Sequence, residues 1–175
     1  MIVFDGAGGH PEGGPNIEGT LEQPGAWEDV LSGLPGPAFW HAIVPTESAR
    51  ARRYRRPVTV VLVEIQGLAK LADEWGEDVA GQAVAAIARI VRRESRSSDY
   101  VARVGVDRLG LLLPETDEVA AINFVERVRE PCERELRGAP EGVRVAFGWA
   151  SPAGNTTLLD AVAEAEARLR EDPGG

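Results

Sequence analysis

The chain has 175 residues and a formal net charge of −9, a length suited to one domain with a single sizeable core. One cysteine, Cys132, excludes an internal disulfide framework and a cysteine zinc site, and two histidines, His10 and His41, are too few for a histidine metal centre. No apolar run is long enough to span a membrane and no secretory signal pattern opens the chain, so a cytoplasmic location without a membrane partner is expected.

Residues 1–29 are rich in Gly and Pro and carry Asp5, Glu12, Glu18, Glu22, Glu28 and Asp29 with no Lys or Arg. This composition predicts a disordered acidic tail over 1–29 and a folded domain over 30–172. Because the acidity is concentrated in the tail, it does not exclude a nucleotide ligand for the domain. Pro37 to about Arg56 reads as a helix with Phe39, Ile43 and Val44 as core candidates and Pro45 as an interruption. Its end carries Arg50, Arg52, Arg53, Arg55 and Arg56, which suit either a phosphate-binding patch or a solvated helix end where cations complement the dipole; the second reading is preferred.

Pro57 stops that helix, and Val58 to Val63 is an unbroken β-favouring run expected to form a central strand buried on both faces. A short helix follows Gly67 as far as Trp75, and Gly76 separates it from a longer one over about Asp78 to Arg93. There Val79, Ala83, Ala86, Ile87 and Ile90 recur at three- and four-residue steps. Tyr100 to Val104 and Leu109 to Leu113 read as the strands of a tight hairpin. Glu115-Thr116-Asp117 supplies caps for a helix to about Arg129, with Pro131 expected to kink or end it. Val143 to Ala150 is a further strand, and Asn155-Thr156-Thr157 caps a last helix to Arg170. The expected architecture is α+β, a sandwich with a central mixed, antiparallel-containing sheet flanked by helices.

Several segments, in order, resemble the GGDEF family of diguanylate cyclases from about Asp29 to Arg170. They are Leu31-Ser32-Gly33-Leu34-Pro35, Ala49 to Tyr54, Val61 to Gly67, Trp75-Gly76, Ser98 to Arg103, Leu111 to Pro114 and Val145 to Ala150. The signature hairpin falls on Gly105, Val106, Asp107, Arg108 and Leu109. The resemblance implies a nucleotide-cyclase-like sandwich whose active members condense two GTP molecules into cyclic di-GMP, with two domains meeting at the site; a homodimer is therefore one available assembly.

The chemistry implied by the resemblance needs carboxylates around Mg2+, a hard cation that prefers oxygen ligands. The family's Asp at the end of the first strand is here Glu64, one methylene longer, near Gln66 in the metal-binding loop. The acidic hairpin residue is here Arg108. Two unit charges about 4 Å apart interact by about 4 kcal/mol at an effective dielectric of ~20, so the sign reversal should empty a metal site. The positions implied for guanine recognition fall on Ala72 and Gly81, whose side chains cannot hydrogen-bond a base. The basic residue implied on the last helix falls near Ala167, with Arg168 adjacent. These departures lead to the expectation of a catalytically inactive homologue with no cofactor. Glu64 and Arg108 should lie close together, Arg108 replacing the metal as counter-charge; the alternative is an Arg108 that points into solvent.

Arg96-Ser97-Ser98-Asp99, just before the hairpin, resembles the Arg-x-x-Asp inhibitory site at which family members bind cyclic di-GMP, and Arg127 falls where a further arginine is often added. An arginine fork suits guanine O6/N7 or phosphate, and a carboxylate can accept from guanine N1–H and N2–H. The bland reading is a solvated helix end. The leading expectation is a catalytically silent regulatory domain that binds cyclic di-GMP. The alternative is a nucleotide-independent module for an unidentified protein partner. No nucleic-acid partner is expected.

Overall fold

The computed structural model describes residues 23–173. The domain opens with a two-stranded ribbon, β1 (Glu28–Asp29) and β2 (Leu34–Pro35), followed by α1 (Pro37–Tyr54), β3 (Val58–Gln66), α2 (Leu68–Trp75) and α3 (Glu77–Glu94). Then come β4 (Tyr100–Arg103), β5 (Arg108–Pro114), α4 (Glu118–Glu135), β6 (Arg144–Ala150) and α5 (Leu158–Glu171). The main sheet has the order β4-β5-β3-β6. Every pairing in it is antiparallel, so the expectation of a mixed sheet is corrected.

The uninterrupted β-favouring run of β3 reflects burial on both faces. Val61, Val63 and Ile65 enter a core covered by α2, α3 and α4, whereas Val58, Val60 and Leu62 enter a second one under α1 and α5. The period-two alternation therefore sends Glu64 to the α1/α5 side, after Leu62. Two glycines permit the close packing there. A Cβ on Gly148 would lie 2.0 Å from the Ala165 carbonyl oxygen of α5, and one on Gly110 would meet the Trp40 ring at 3.0 Å.

Both interior prolines depart from expectation. Pro45 lies within α1 and Pro131 within α4, and neither ends its helix. A proline removes one backbone donor, but Val44 and Cys132 beside them are fully buried, and that tertiary packing holds the helices through the break. Phe39 and Ile43 are only half-buried, while Trp40 takes the core position on that turn. The expected caps are present: the Asp117 carboxylate accepts from the Ala120 N–H at 2.8 Å, and Thr157 with Asp160 forms a capping box.

The boundary expected after residue 29 cuts through the opening ribbon. Glu28 and Asp29 pair with Pro35 and Leu34, and Asp29 is only 5% exposed. Its carboxylate accepts from Arg103 Nη1 at 2.9 Å and from the Ser32 N–H at 2.8 Å. Arg103, 1% exposed, also donates through Nη2 to the Val106 carbonyl at 2.7 Å. Acidic composition suggested tail, but this acid neutralises a buried guanidinium. The remainder of the expected tail, residues 1–22, lies outside the described residues.

The free edge of β6 is covered by side chains. The Phe147 N–H donates to Asp172 Oδ2 at 2.7 Å, Arg129 binds the same carboxylate at 3.1 Å, and Arg168 Nη1 donates to the Trp149 carbonyl at 2.8 Å. These contacts occupy groups that another strand would otherwise pair.

Asp29→Ala should cost about 3–5 kcal/mol, the range for removing one partner of a buried ion pair. Guanidinium denaturation measures it; a loss below about 1 kcal/mol would mean that Arg103 is neutralised by another group.

Candidate functional site

The β3–β5 register places Glu64 directly across from Arg108. Arg108 Nε donates to Glu64 Oε2 at 3.0 Å and its Nη2 donates to the same oxygen. Its Nη1 lies 3.7 Å from Glu166 of α5. Backbone bonds fix the tip that carries this arginine. The Arg108 carbonyl accepts from the N–H groups of Val104 and Gly105, and the Asp107 carbonyl accepts from Ile65 N–H at 2.9 Å. Val106 and Leu109 point to the α2/α3/α4 side, where Leu109 is buried and Val106 half-buried.

Asp107, beside Arg108 at the hairpin tip, is half-buried. Burial pushes its carboxyl up from the ordinary aspartate value and the Glu64 carboxylate adds to the effect; its own backbone N–H, Arg108 and Arg103 pull it down. Glu64, Asp107 and Glu166 thus surround one guanidinium. Glu166 was not singled out from the sequence, although it follows Leu159 and Val162 at helical steps of three and four, which puts the three on one face.

Asp107, Arg108 and Glu166 line a cleft of about 510 Å³ between α1, α5 and the hairpin, with Glu64 behind Arg108. Trp40, Val44, Leu62, Leu159 and Val162 form its apolar walls, and His41 and Pro45 lie on the α1 side. Ala72 and Gly81 do not join it: Ala72 packs against the other core from α2, and Gly81 is buried in α3. Gln66 ends β3 opposite Arg144. Arg168, adjacent to the position where a basic residue was expected, is bound to Glu118, Glu164 and the Trp149 carbonyl, so α5 offers the cleft Glu166 instead.

Mg2+, which the family resemblance implies for active members, does not suit this arrangement. It requires several oxygens free to converge on it. Here one Glu64 oxygen accepts two N–H groups from Arg108, and that guanidinium stands where a cation would be needed.

The Arg-x-x-Asp segment forms the turn between α3 and β4. Asp99 is 7% exposed; its Oδ2 accepts from the Arg96 N–H at 2.7 Å, and Ser98 Oγ is 3.5 Å from Oδ1. The Arg96 side chain is exposed. Arg127 reaches the same helix end from α4, with Nε 3.4 Å from Glu94 and Nη2 donating to the Glu94 carbonyl at 3.2 Å. Its guanidinium lies over the Phe124 ring at 5.3 Å. Arg96, Asp99 and Arg127 are therefore grouped around one helix end, with Arg127 paired to Glu94.

Elsewhere, the Arg50–Arg56 run is solvent-exposed. Arg50 pairs with Glu47 and Arg56 with Glu115 at 3.5 Å. Cys132 is buried, and burial pushes its thiol up to about 12, which makes it inert.

The family model for "Diguanylate cyclase, GGDEF domain" matches residues 26–172. Among curated proteins, the probable diguanylate cyclase DgcC of Escherichia coli K12 is 28% identical over 102 residues, covering 58% of this chain and 28% of its own. The diguanylate cyclase DosC of the same strain is 29% identical over 119 residues, covering 68% of this chain and 26% of its own. The chain thus spans about a quarter of the length of these curated relatives. Of solved structures, the diguanylate cyclase SiaD in complex with its activator SiaC, from Pseudomonas aeruginosa, superposes with a TM-score of 0.74 at 26% identity. That match covers 82% of this chain and 56% of SiaD. The GGDEF domain of DgcB from Caulobacter crescentus, in complex with c-di-GMP, gives a TM-score of 0.76 at 17% identity, covering 86% and 91% of the two chains; this likeness concerns the fold. Among the described residues, no helix is long and apolar enough to cross a membrane.

Replacing Arg108 by Met should destabilise the domain by about 1–2 kcal/mol at neutral pH, between the values for exposed and buried pairs. Asp107, already raised in the fold, would rise further without Arg108. Its contribution is then fully favourable only below the unfolded value and is lost as pH rises through the folded one. The deficit should therefore shrink on going from about pH 7 to about pH 4 in urea denaturation, and an equal deficit at both would contradict the assigned contact.

Proposed function

Since the chain belongs to the GGDEF family, we propose that it is a catalytically silent member that binds cyclic di-GMP as a regulatory ligand through Arg96, Asp99 and Arg127. The observation that carries the silent half is the placement of Arg108 on Glu64, with Glu166 as its second carboxylate. GTP is a polyanion, and its productive binding needs metal and cationic side chains around the phosphates. This cleft presents two carboxylates, Asp107 and Glu166, and one arginine that is already paired with Glu64. Ala72 and Gly81 carry no side-chain group that could select guanine.

The receptor half rests on the grouping around the α3 end. The exposed Arg96 fork suits guanine or phosphate, and Asp99 Oδ1 is the less engaged of its two oxygens. Arg127 would exchange Glu94 for a ligand phosphate. That exchange costs little, because half-exposed ion pairs are worth only about 0–1 kcal/mol. The DgcB domain in complex with c-di-GMP is a precedent within this fold. In this reading the functional domain runs from the opening ribbon to residue 172.

A nucleotide-independent docking role is the second reading. It is favoured by Trp27 and Val30 on the opening ribbon, which are 63% and 95% exposed. SiaD in complex with its activator SiaC is a family precedent for protein association.

Isothermal titration should give a dissociation constant for cyclic di-GMP on the order of micromolar, about −8 kcal/mol, lost in Arg96→Ala. A folded protein that releases no heat at millimolar ligand would refute the receptor half. For the silent half, Arg108→Glu combined with Gln66→Asp should bind Mg-GTP where the parent does not. Binding no better than the parent's would remove the main support for Arg108 as the blocking charge.

A further inference from the structure

The cleft between α1, α5 and the hairpin tip keeps the dimensions of a small-molecule site. Its volume of about 510 Å³ falls within the range of ligand pockets, and most of its wall is apolar. Trp40, Val44, Leu62, Leu159 and Val162 would cover a hydrocarbon or aromatic body, and charged groups are gathered at one end.

The sign of that end decides which ligand fits. Arg108 is engaged by Glu64 and Glu166, so little of it remains for an anion. Asp107 lines the cleft, and among the described residues no side chain donates a hydrogen bond to its carboxylate. With Arg108 neutralised by Glu64, the lining carboxylates Asp107 and Glu166 leave an excess of negative charge beside apolar walls, where screening by water is reduced.

We propose that this cleft binds a small organic cation, an ammonium or guanidinium group carried on an apolar or aromatic body, with Asp107 and Glu166 facing the charge. A hydrated metal ion gains nothing from the apolar walls. An organic anion of the same shape would meet Asp107 and Glu166 with like charge. An organic monocation uses both halves of the cleft. The inference does not depend on dinucleotide binding, since Arg96, Asp99 and Arg127 do not line this cleft.

The test compares phenethylammonium with 3-phenylpropanoate, which has a similar body and opposite charge, and with magnesium chloride. Backbone amide chemical shifts of residues 104–108 and 159–166 report occupancy. Phenethylammonium should saturate with a dissociation constant on the order of 0.1–1 mM, and the carboxylate should not bind. Asp107→Asn and Glu166→Gln, which preserve shape, should each weaken the ammonium by about tenfold, as expected for loss of one charge-assisted contact. Glu166 is on an exposed part of α5, so its variant remains informative if the hairpin variant unfolds. The proposal is overturned if ammonium does not saturate, if ammonium and carboxylate bind alike, if magnesium displaces the ammonium stoichiometrically, or if folded variants bind as the parent does. Failure to bind cyclic di-GMP leaves this result untouched, and failure to bind the ammonium leaves the receptor reading untouched.

Discussion

The buried guanidinium of Arg103 is the constraint on which the site geometry depends. It lies at the end of β4 at 1% exposure, where an unpaired charge would be costly, and it is held from two directions. Asp29 reaches it from the opening ribbon and the Val106 carbonyl reaches it from the hairpin tip. One side chain therefore ties the opening ribbon to the turn that carries Asp107 and Arg108. The tip is also held on its other side, where the Asp107 carbonyl accepts from Ile65 of β3. A hairpin tip is ordinarily among the more mobile parts of a fold. Here its backbone is fixed firmly enough to hold charged side chains in defined positions.

Charge reversal within the cleft follows from that rigidity. With the tip in place, strand register alone sets Arg108 opposite Glu64, and helical spacing on α5 brings Glu166 to the same guanidinium. Arg168 is diverted to Glu118, Glu164 and the edge of β6, where it works with Asp172 to cover unpaired backbone groups. A basic residue committed to protecting a sheet edge is not available to a phosphate. Edge protection and the acidity of the cleft are thus two results of the same choice of side-chain direction on α5.

Much of this was legible in the sequence, for identifiable reasons. The unbroken run of β3 signalled burial on both faces, and the three- and four-residue spacing of Ala83, Ala86, Ile87 and Ile90 signalled the buried face of α3; both are local patterns. The proximity of Glu64 and Arg108 was legible through the family resemblance, which supplied the register. Pro45 and Pro131 were misread because their local cost is offset by burial of Val44 and Cys132, which no local pattern reveals. Asp29 was misread because composition averages over a segment, whereas a buried partner selects one residue. Glu166 and Asp107 acquire their meaning only when α5 and the hairpin are brought together. Their separation in the chain hid the excess of carboxylates.

That excess bears on why the cleft should keep charged residues at all. Replacing buried or half-buried ion pairs by apolar side chains of similar volume is often neutral or stabilising. Stability alone gives no reason to retain Glu64, Asp107, Arg108 and Glu166 around a cavity. Neutralising one arginine requires one carboxylate, and Glu64 already supplies it with two N–H contacts to a single oxygen. Asp107 then stands half-buried in a state that burial and Glu64 both disfavour. Such a carboxylate lowers the stability of the empty domain and would raise it again once a cation arrived, because the ligand would relieve the same repulsion that the fold sustains. The pairing that commits Arg108 to Glu64 is what leaves Asp107 and Glu166 to give an organic cation a differential advantage.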